Sequence, residues 1–274
     1  MKYLKIIGLF CLFCFTFIYT DKIIDVTIEQ DEIMIKIKEY AESHNINPTN
    51  ATIKDDTIIP GNTSKHVDIN SSYKLMKKYG YFSESNIIYK EVYPKISIYN
   101  NYNKYIINGN SSNKSISLLY ILNNDKTLDN ILTTINKYNI SINFFIDSTY
   151  LSNNINIINK LLPNEIYNYG LSGKYTKDNL IITNNIINNK SNNNSNFCLF
   201  LEKDSTSLDT CANNKMLSLI PTKGSYQQIK TSLKNGNIFL INNTKELPTI
   251  IEYILSKGFK IIPLSNLIKE NIYS

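Results

Sequence analysis

Residues 116–146 read ISLLYILNNDKTLDNILTTINKYNISINFFI, and their patterning decides the fold. An apolar run at 116–122 is followed by a polar turn, a helical stretch at 127–137 and a second apolar run at 140–146. Leu128, Ile131, Leu132 and Ile135 stand at i, i+3, i+4 and i+7, which puts them on one face of a helix. Two strands separated by a helix that can lie over them form a parallel pair with a crossover.

The alternation continues downstream. Further strands are expected at 165–169, 196–201, 217–220, 237–241 and 259–262, and helices at 151–162, 177–188, 207–213, 226–233, 247–256 and 264–270. Pro248 falls in the first turn of its helix, where a missing N–H is harmless, and Gly258 ends that helix just before a strand. The fold class is therefore α/β, a compact, distorted or incomplete (β/α) barrel of parallel strands. In such folds the chemistry sits where the strands end. Upstream, residues 21–112 read as a stalk and a small mixed α+β region. It would hold helices at 29–42 and 68–78, turns at 47–50 and 60–62, and short strands at 87–89 and 96–98. A polar stretch at 108–113 marks the boundary, so the main domain is placed at 113–274.

The first twenty residues, MKYLKIIGLFCLFCFTFIYT, place Lys2 and Lys5 before an apolar stretch at 6–19. That layout belongs to a secretory signal, yet no small-residue cut site follows. Residues 1–20 are thus expected to form an uncleaved signal anchor, a transmembrane helix with its N-terminus inside. This would make the chain a single-pass protein of the cell membrane, its C-terminal domain extracytoplasmic. Cleavage of the segment is the second reading. Cys11 and Cys14 lie in these apolar surroundings and read as apolar residues rather than a metal pair. Cys198 and Cys211 read as small buried side chains, with a disulfide as the alternative in an oxidising compartment.

Composition excludes a good deal. The net charge of +6 comes from thinly spread lysines, so no groove for nucleic acid is indicated. Abundant Ile and Asn, against 9 Gly and 7 Pro, reflect base composition more than function. The two histidines, His44 and His66, both precede the main domain, which removes Ser-His-Asp catalysis from it. No P-loop or dinucleotide-binding glycine pattern is present.

Several strings in order resemble the polysaccharide deacetylase (NodB-homology) family, in particular a degenerate, membrane-anchored member of clostridial type. Residues 131–146 are similar to its first helix and second strand, and Glu165-Ile-Tyr-Asn168 to its Glu-Ile-Gly-Asn. GNIFLIN at 236–242 and ELPTIIEYILSKGFKIIPLS at 246–265 are similar to its closing strands and helix. The resemblance covers roughly residues 115–272. It implies metal-assisted hydrolysis of an N-acetyl group, with a divalent cation such as zinc held by two His and one Asp, a neighbouring Asp as base and a later His as acid.

Carried over residue by residue, that machinery is missing. The base position falls on Ile121 and the metal Asp on Leu122. The two metal histidines fall on Tyr169 and Gly173, and the acid on Asn242. The region of the family's Arg-Pro-Pro-Tyr-Gly motif, near 198–200, has no Arg. Ile, Leu and Gly offer no lone pair to a cation, and an amide cannot exchange a proton near neutral pH. No catalytic residues, metal or cofactor are therefore expected. The protein is read as a pseudoenzyme that binds a cell-envelope glycan or an envelope protein. Tyr120, Asp125, Asp147, Tyr167, Asn168, Tyr169 and Asn242 are the candidate binding residues near the former site. The alternative is an active hydrolase of non-peptide C–N amide bonds, deacetylating an N-acetylated glycan through an atypical site built from Asp125, Asp129 and Asp147.

Overall fold

The computed structural model describes residues 10, 12–16, 20, 22, 26–191 and 193–271. In chain order the strands are β1 (Thr52–Lys54), β2 (Thr57–Ile59), β3 (Ser64–Val67), β4 (Tyr89–Val92), β5 (Tyr105–Ile106), β6 (Ser115–Leu122), β7 (Asn143–Ile146) and β8 (Glu165–Asn168). They continue with β9 (Phe197–Leu199), β10 (Leu217–Leu219), β11 (Thr222–Lys223), β12 (Ile238–Leu240) and β13 (Lys260–Ile261). The chain divides into two compact units. One holds the residues up to Asn47 with Ser64–Val92, and the other holds Pro48–Thr63 with the residues from Tyr93 onward.

In the first unit, helix Glu32–His44 starts at Asp31, whose carboxylate accepts from Ile33 N–H. Helix Ile69–Tyr79 starts at Asp68 and stops at Gly80, whose φ of 79 only glycine adopts without strain. β3 and β4 pair antiparallel, Ser64 opposite Val92 and Val67 opposite Tyr89. Ile33, Ile37, Ala41, Val67, Met76 and Ile87 form the core.

The second unit is built on parallel strands. One sheet runs β11-β12-β6-β7-β8, with β13 also on β6. β6 pairs parallel with β7, Leu119 opposite Asn143 and Leu122 opposite Ile146, as the 116–146 pattern requires. The other sheet runs β1-β2-β5-β10-β9. Leu128, Ile131 and Ile135 of helix Leu128–Tyr138 are buried with Phe144, Ile146, Ile250 and Ile254. Each such side chain contributes about 1.5–3 kcal/mol through burial. A second apolar cluster contains Leu119, Phe145, Tyr167, Phe197, Leu219 and Leu240.

The strands do not close into one barrel ladder. β8 and β9 belong to different sheets, and side chains cross the gap between them. The Asn193 carboxamide accepts from Ile166 N–H (3.1 Å) and donates to Ile166 C=O (2.8 Å), as a neighbouring strand would. The Ser195 hydroxyl accepts from Asn168 N–H (2.9 Å). The buried Tyr175 hydroxyl accepts from Leu199 N–H (2.8 Å) and lies 3.2 Å from both Asn168 C=O and Leu199 C=O. Buried backbone groups that lack a strand partner are thereby satisfied.

Several expectations need correction. Among the described residues no helix is long and apolar enough to cross a membrane, a task that needs about 20 residues. The signal anchor, the membrane as a partner, and the single-pass localisation with an extracytoplasmic domain are therefore not supported. Of that segment, residues 1–9, 11 and 17–19 lie outside the described residues. The expected strand at 96–98 is absent: Ile96 N–H goes to the Asn50 side chain, and Ile98–Asn100 forms a 3₁₀ turn capped by Ser97. The helix expected at 151–162 is two short ones, Ser148–Asn153 and Ile157–Leu161. β5 lies upstream of residue 113 yet pairs parallel with β10, so part of the expected N-terminal region belongs to the larger unit. Cys198 and Cys211, both fully buried, are joined in a disulfide.

Tyr175→Phe removes the acceptor of Leu199 N–H and should destabilise the protein by about 1–3 kcal/mol in urea unfolding. An unchanged midpoint would show that the hydroxyl does not support the gap. The disulfide closes a loop with a sequence separation of 13. The paired Cys198→Ser, Cys211→Ser variant should lose about 3 kcal/mol, and alkylation of the denatured wild type should label these two cysteines only after reduction.

Candidate functional site

β6, β7, β8 and β12 all end on one side of their sheet, at Leu122, Ile146, Asn168 and Leu240. The residues at and just beyond these ends surround a cleft of about 340 Å³. Tyr120, Ile121 and Asn123 come from the end of β6, Asp147 follows β7, and Tyr169 and Ser172 follow β8. Leu240, Ile241 and Asn242 come from the end of β12, and Leu201 from beyond β9. A second cleft of about 260 Å³ shares Tyr169, Ser172 and Leu201 and continues past Gly173, Lys174 and Asp204.

Asp147 anchors the loop between the two clefts. One carboxylate oxygen accepts from Thr149 N–H (2.9 Å) and Tyr150 N–H (3.2 Å), capping helix Ser148–Asn153. The other accepts from Ser172 N–H at 2.8 Å. The carboxylate therefore holds backbone in place, and its bonds lead into the loop. That loop turns tightly: Gly173 N–H bonds Tyr169 C=O at 3.0 Å, and Gly170 and Gly173 have φ of 68 and 83. A Cβ at Gly173 would stand 3.1 Å from the Tyr169 hydroxyl oxygen. The phenol thus lies against the place where a side chain at 173 would project. Burial, and then the charge of Asp147, pushes the Tyr169 hydroxyl above its ordinary value, so it stays protonated and able to donate.

The five positions of the missing machinery separate. Ile121, Tyr169 and Asn242 line the first cleft and Gly173 the second, whereas Leu122 is fully buried in the apolar core. Of the binding candidates, Tyr120, Asp147, Tyr169 and Asn242 line the first cleft. The Tyr120 hydroxyl is paired with Thr127 Oγ1 at 2.9 Å, and its ring packs edge-on against Phe144. Tyr167 lies in the core and donates to Glu165 (2.7 Å), toward the start of β8 and away from the cleft. Asn168 is fully buried. Its amide oxygen accepts from Gly170 N–H and its amide nitrogen donates to Asn184, so its work is structural.

Asp125 is exposed and lines neither cleft, and Asp129 pairs with Lys160. The atypical carboxylate site of Asp125, Asp129 and Asp147 does not assemble: among the described residues no group of three or more His, Cys, Asp or Glu is placed to hold a metal ion. Ile121, Leu122, Tyr169, Gly173 and Asn242 do not fit a divalent cation either, which needs about three good donors and an open position. Sequence reasoning missed Ser172, Leu201, Lys174 and Asp204. The Lys174–Asp204 ion pair (2.8 Å) joins residues from two different loops, and nothing in the local pattern signals it.

No protein-family model matches the chain. The protein is 26% identical over 161 residues to "Uncharacterized protein YlxY" of Bacillus subtilis (strain 168). That alignment covers 56% of this chain and 50% of the relative, so the chain spans about half the length of the curated relative it matches. Among solved structures it is similar to wild-type BA3943, described as a CE4 family pseudoenzyme from Bacillus anthracis. The TM-score is 0.63 with 21% identity, over 88% of this chain and 96% of the other. The chain has the fold of the family 4 carbohydrate esterases. The Bc1960 peptidoglycan N-acetylglucosamine deacetylase matches with a TM-score of 0.53 and 17% identity, over 60% of this chain and 92% of its own. PdaA of Bacillus subtilis, a family 4 carbohydrate esterase, matches at 0.52 and 14%, over 62% and 86%. These likenesses bear out the expected polysaccharide deacetylase resemblance at the level of the fold.

Asp204 offers a pH test of the site's scaffold. The Lys174 ammonium, then the Ser207 N–H, hold its carboxyl down at about 2 from an ordinary 3.8. A depressed acid stabilises the fold above its unfolded value, and that contribution fades as pH falls through the folded one. The melting temperature of wild type minus that of Asp204→Asn should therefore be constant above about pH 5 and shrink between about pH 4 and 2. A difference independent of pH would mean that the pair does not form.

Proposed function

We propose that the protein is a catalytically inactive deacetylase-like domain whose cleft binds an N-acetylated glycan without cleaving it. The observation that carries this reading is the Tyr169 phenol lying against Gly173, at two positions where the resemblance expects metal ligands. Neither residue, nor Ile121 in the first cleft, nor Leu122 in the apolar core, can hold a cation that polarises an acetyl carbonyl and activates water. What the cleft does offer suits retention of a sugar. The protonated Tyr169 hydroxyl and the exposed Asn242 amide supply hydrogen bonds, while Ile121, Leu240 and Ile241 supply an apolar wall.

A ligand that binds only the folded state raises its stability, by about 2.7 kcal/mol at a hundred times Kd. Zinc or cobalt should therefore leave the melting temperature of dialysed protein unchanged, and no acetate should be released from N-acetylglucosamine oligomers. The same oligomers should raise the melting temperature, and Tyr169→Ala and Asn242→Ala should each reduce that rise. One metal bound per chain with chelator-sensitive acetate release would overturn the inactive reading. Oligomers that produce no shift would overturn the glycan reading.

A further inference from the structure

At the start of β6, away from the strand-end clefts, the larger unit holds a further cleft of about 240 Å³. Asn113, Ser115, Ile262, Asn266, Leu267 and Lys269 line it. Its two walls are the segment leading into β6 and the short helix Leu264–Ile268, and Asn110 ties them together. Asn110 N–H donates to Leu267 C=O (2.8 Å), and its carboxamide nitrogen donates to Lys269 C=O (3.2 Å) and Gly61 C=O (3.3 Å). Its carboxamide oxygen accepts from Ser112 N–H at 2.9 Å. Gly109 lets the walls come this close, because a Cβ there would stand 2.5 Å from Leu267 Cγ. The cleft is therefore preformed, and a ligand does not have to order it.

Inside this fixed frame the polar side chains are unused. Ser115 is 4% exposed, and its hydroxyl has no hydrogen-bond partner among the described residues. Of the unpartnered side-chain atoms described, only the Ser64 and Ser218 hydroxyls are shut off from solvent, so the Ser115 hydroxyl opens into the cleft. Buried polar groups are nearly always hydrogen-bonded, and this one is left for a ligand to satisfy. The exposed carboxamides of Asn113 and Asn266 and the exposed ammonium of Lys269 also have no side-chain partner among the described residues. Among the described residues that line the cleft, Lys269 alone is charged, so an anion meets attraction there and no repulsion. Hydroxyl and carboxamide groups both donate and accept, as the hydroxyls of a sugar require. Ile262 and Leu267 add an apolar surface for a carbon skeleton. The volume lies below the roughly 300–1,000 Å³ of sites for drug-sized molecules, which limits the ligand to about one ring.

We propose that this cleft is a second binding site, for a single sugar ring that carries an anionic oxygen group, a carboxylate or a phosphate. The anionic group meets the Lys269 ammonium, and the ring hydroxyls bond Ser115, Asn113 and Asn266. The C–H face of the ring lies on Ile262 and Leu267. A neutral sugar leaves the ammonium unmatched, and a bare anion leaves the carboxamides and the apolar surface unmatched.

Calorimetric titration of the full chain with glucuronate, glucose-6-phosphate, glucose and inorganic phosphate tests the site. Glucuronate or glucose-6-phosphate should bind, one per chain, at least tenfold more tightly than glucose, which lacks the charge, and than inorganic phosphate, which lacks the ring. The tighter of the two identifies the anionic group. Ser115→Ala should weaken that binding about tenfold with an unchanged melting temperature, because the hydroxyl bonds nothing in the chain. Lys269→Gln should bring the charged sugar down to the affinity of glucose. Failure of both charged sugars to bind, equal binding of glucose or inorganic phosphate, or affinity unchanged in both variants would overturn the site. Binding lost in Tyr169→Ala but kept in Ser115→Ala would also overturn it and place the sugar in the strand-end cleft, so failure here is separable from failure of the glycan reading there.

Discussion

Parallel pairing of β6 with β7 and β12, and with β13 at its start, is the constraint on which the rest depends. β6 contributes Ile116, Leu118, Leu119 and Leu122 as fully buried side chains, so it cannot shift without emptying two apolar clusters. A shift by one residue would exchange its two faces, and both are packed. Because its neighbours run the same way, their C-terminal ends come out together. Tyr120, Asp147, Tyr169 and Asn242 therefore meet at one cleft although they are far apart in the chain.

The loop after β8 is held from two sides. Asp147 receives Ser172 N–H from beyond the end of β7, and Tyr175 reaches into the gap toward β9. Where a continuous ladder would have used backbone partners, Asn193, Ser195 and Tyr175 use side chains. This places polar side chains between β8 and β9, and it leaves the segment around Gly173 tightly turned. Chemistry at the cleft follows from that geometry: an aromatic ring, an amide and aliphatic side chains close together, with the nearest carboxylate committed to backbone N–H groups.

The sequence by itself determined the alternation of strands and helices, because period and turn chemistry are local properties. The face Leu128, Ile131, Ile135 and the placing of Pro248 and Gly258 at the two ends of one helix could be read from neighbouring residues alone. It also determined what the positions matched to the family's motifs lack, since Ile121, Leu122 and Gly173 carry no side-chain donor in any fold. Tertiary structure decided what depends on distant partners. Asp147 is a candidate binding residue by sequence, but Ser172 N–H occupies its second oxygen, and Tyr167 and Asn168 are taken up by Glu165, Gly170 and Asn184. The Cys198–Cys211 disulfide, the split of residues 151–162 into two helices and the placement of β5 beside β10 each turn on contacts that no local pattern encodes. The same holds for Glu270, an ordinary glutamate in the sequence whose carboxyl group is buried and hydrogen-bonded only when Gly61, Ser97 and Ile98 close around it.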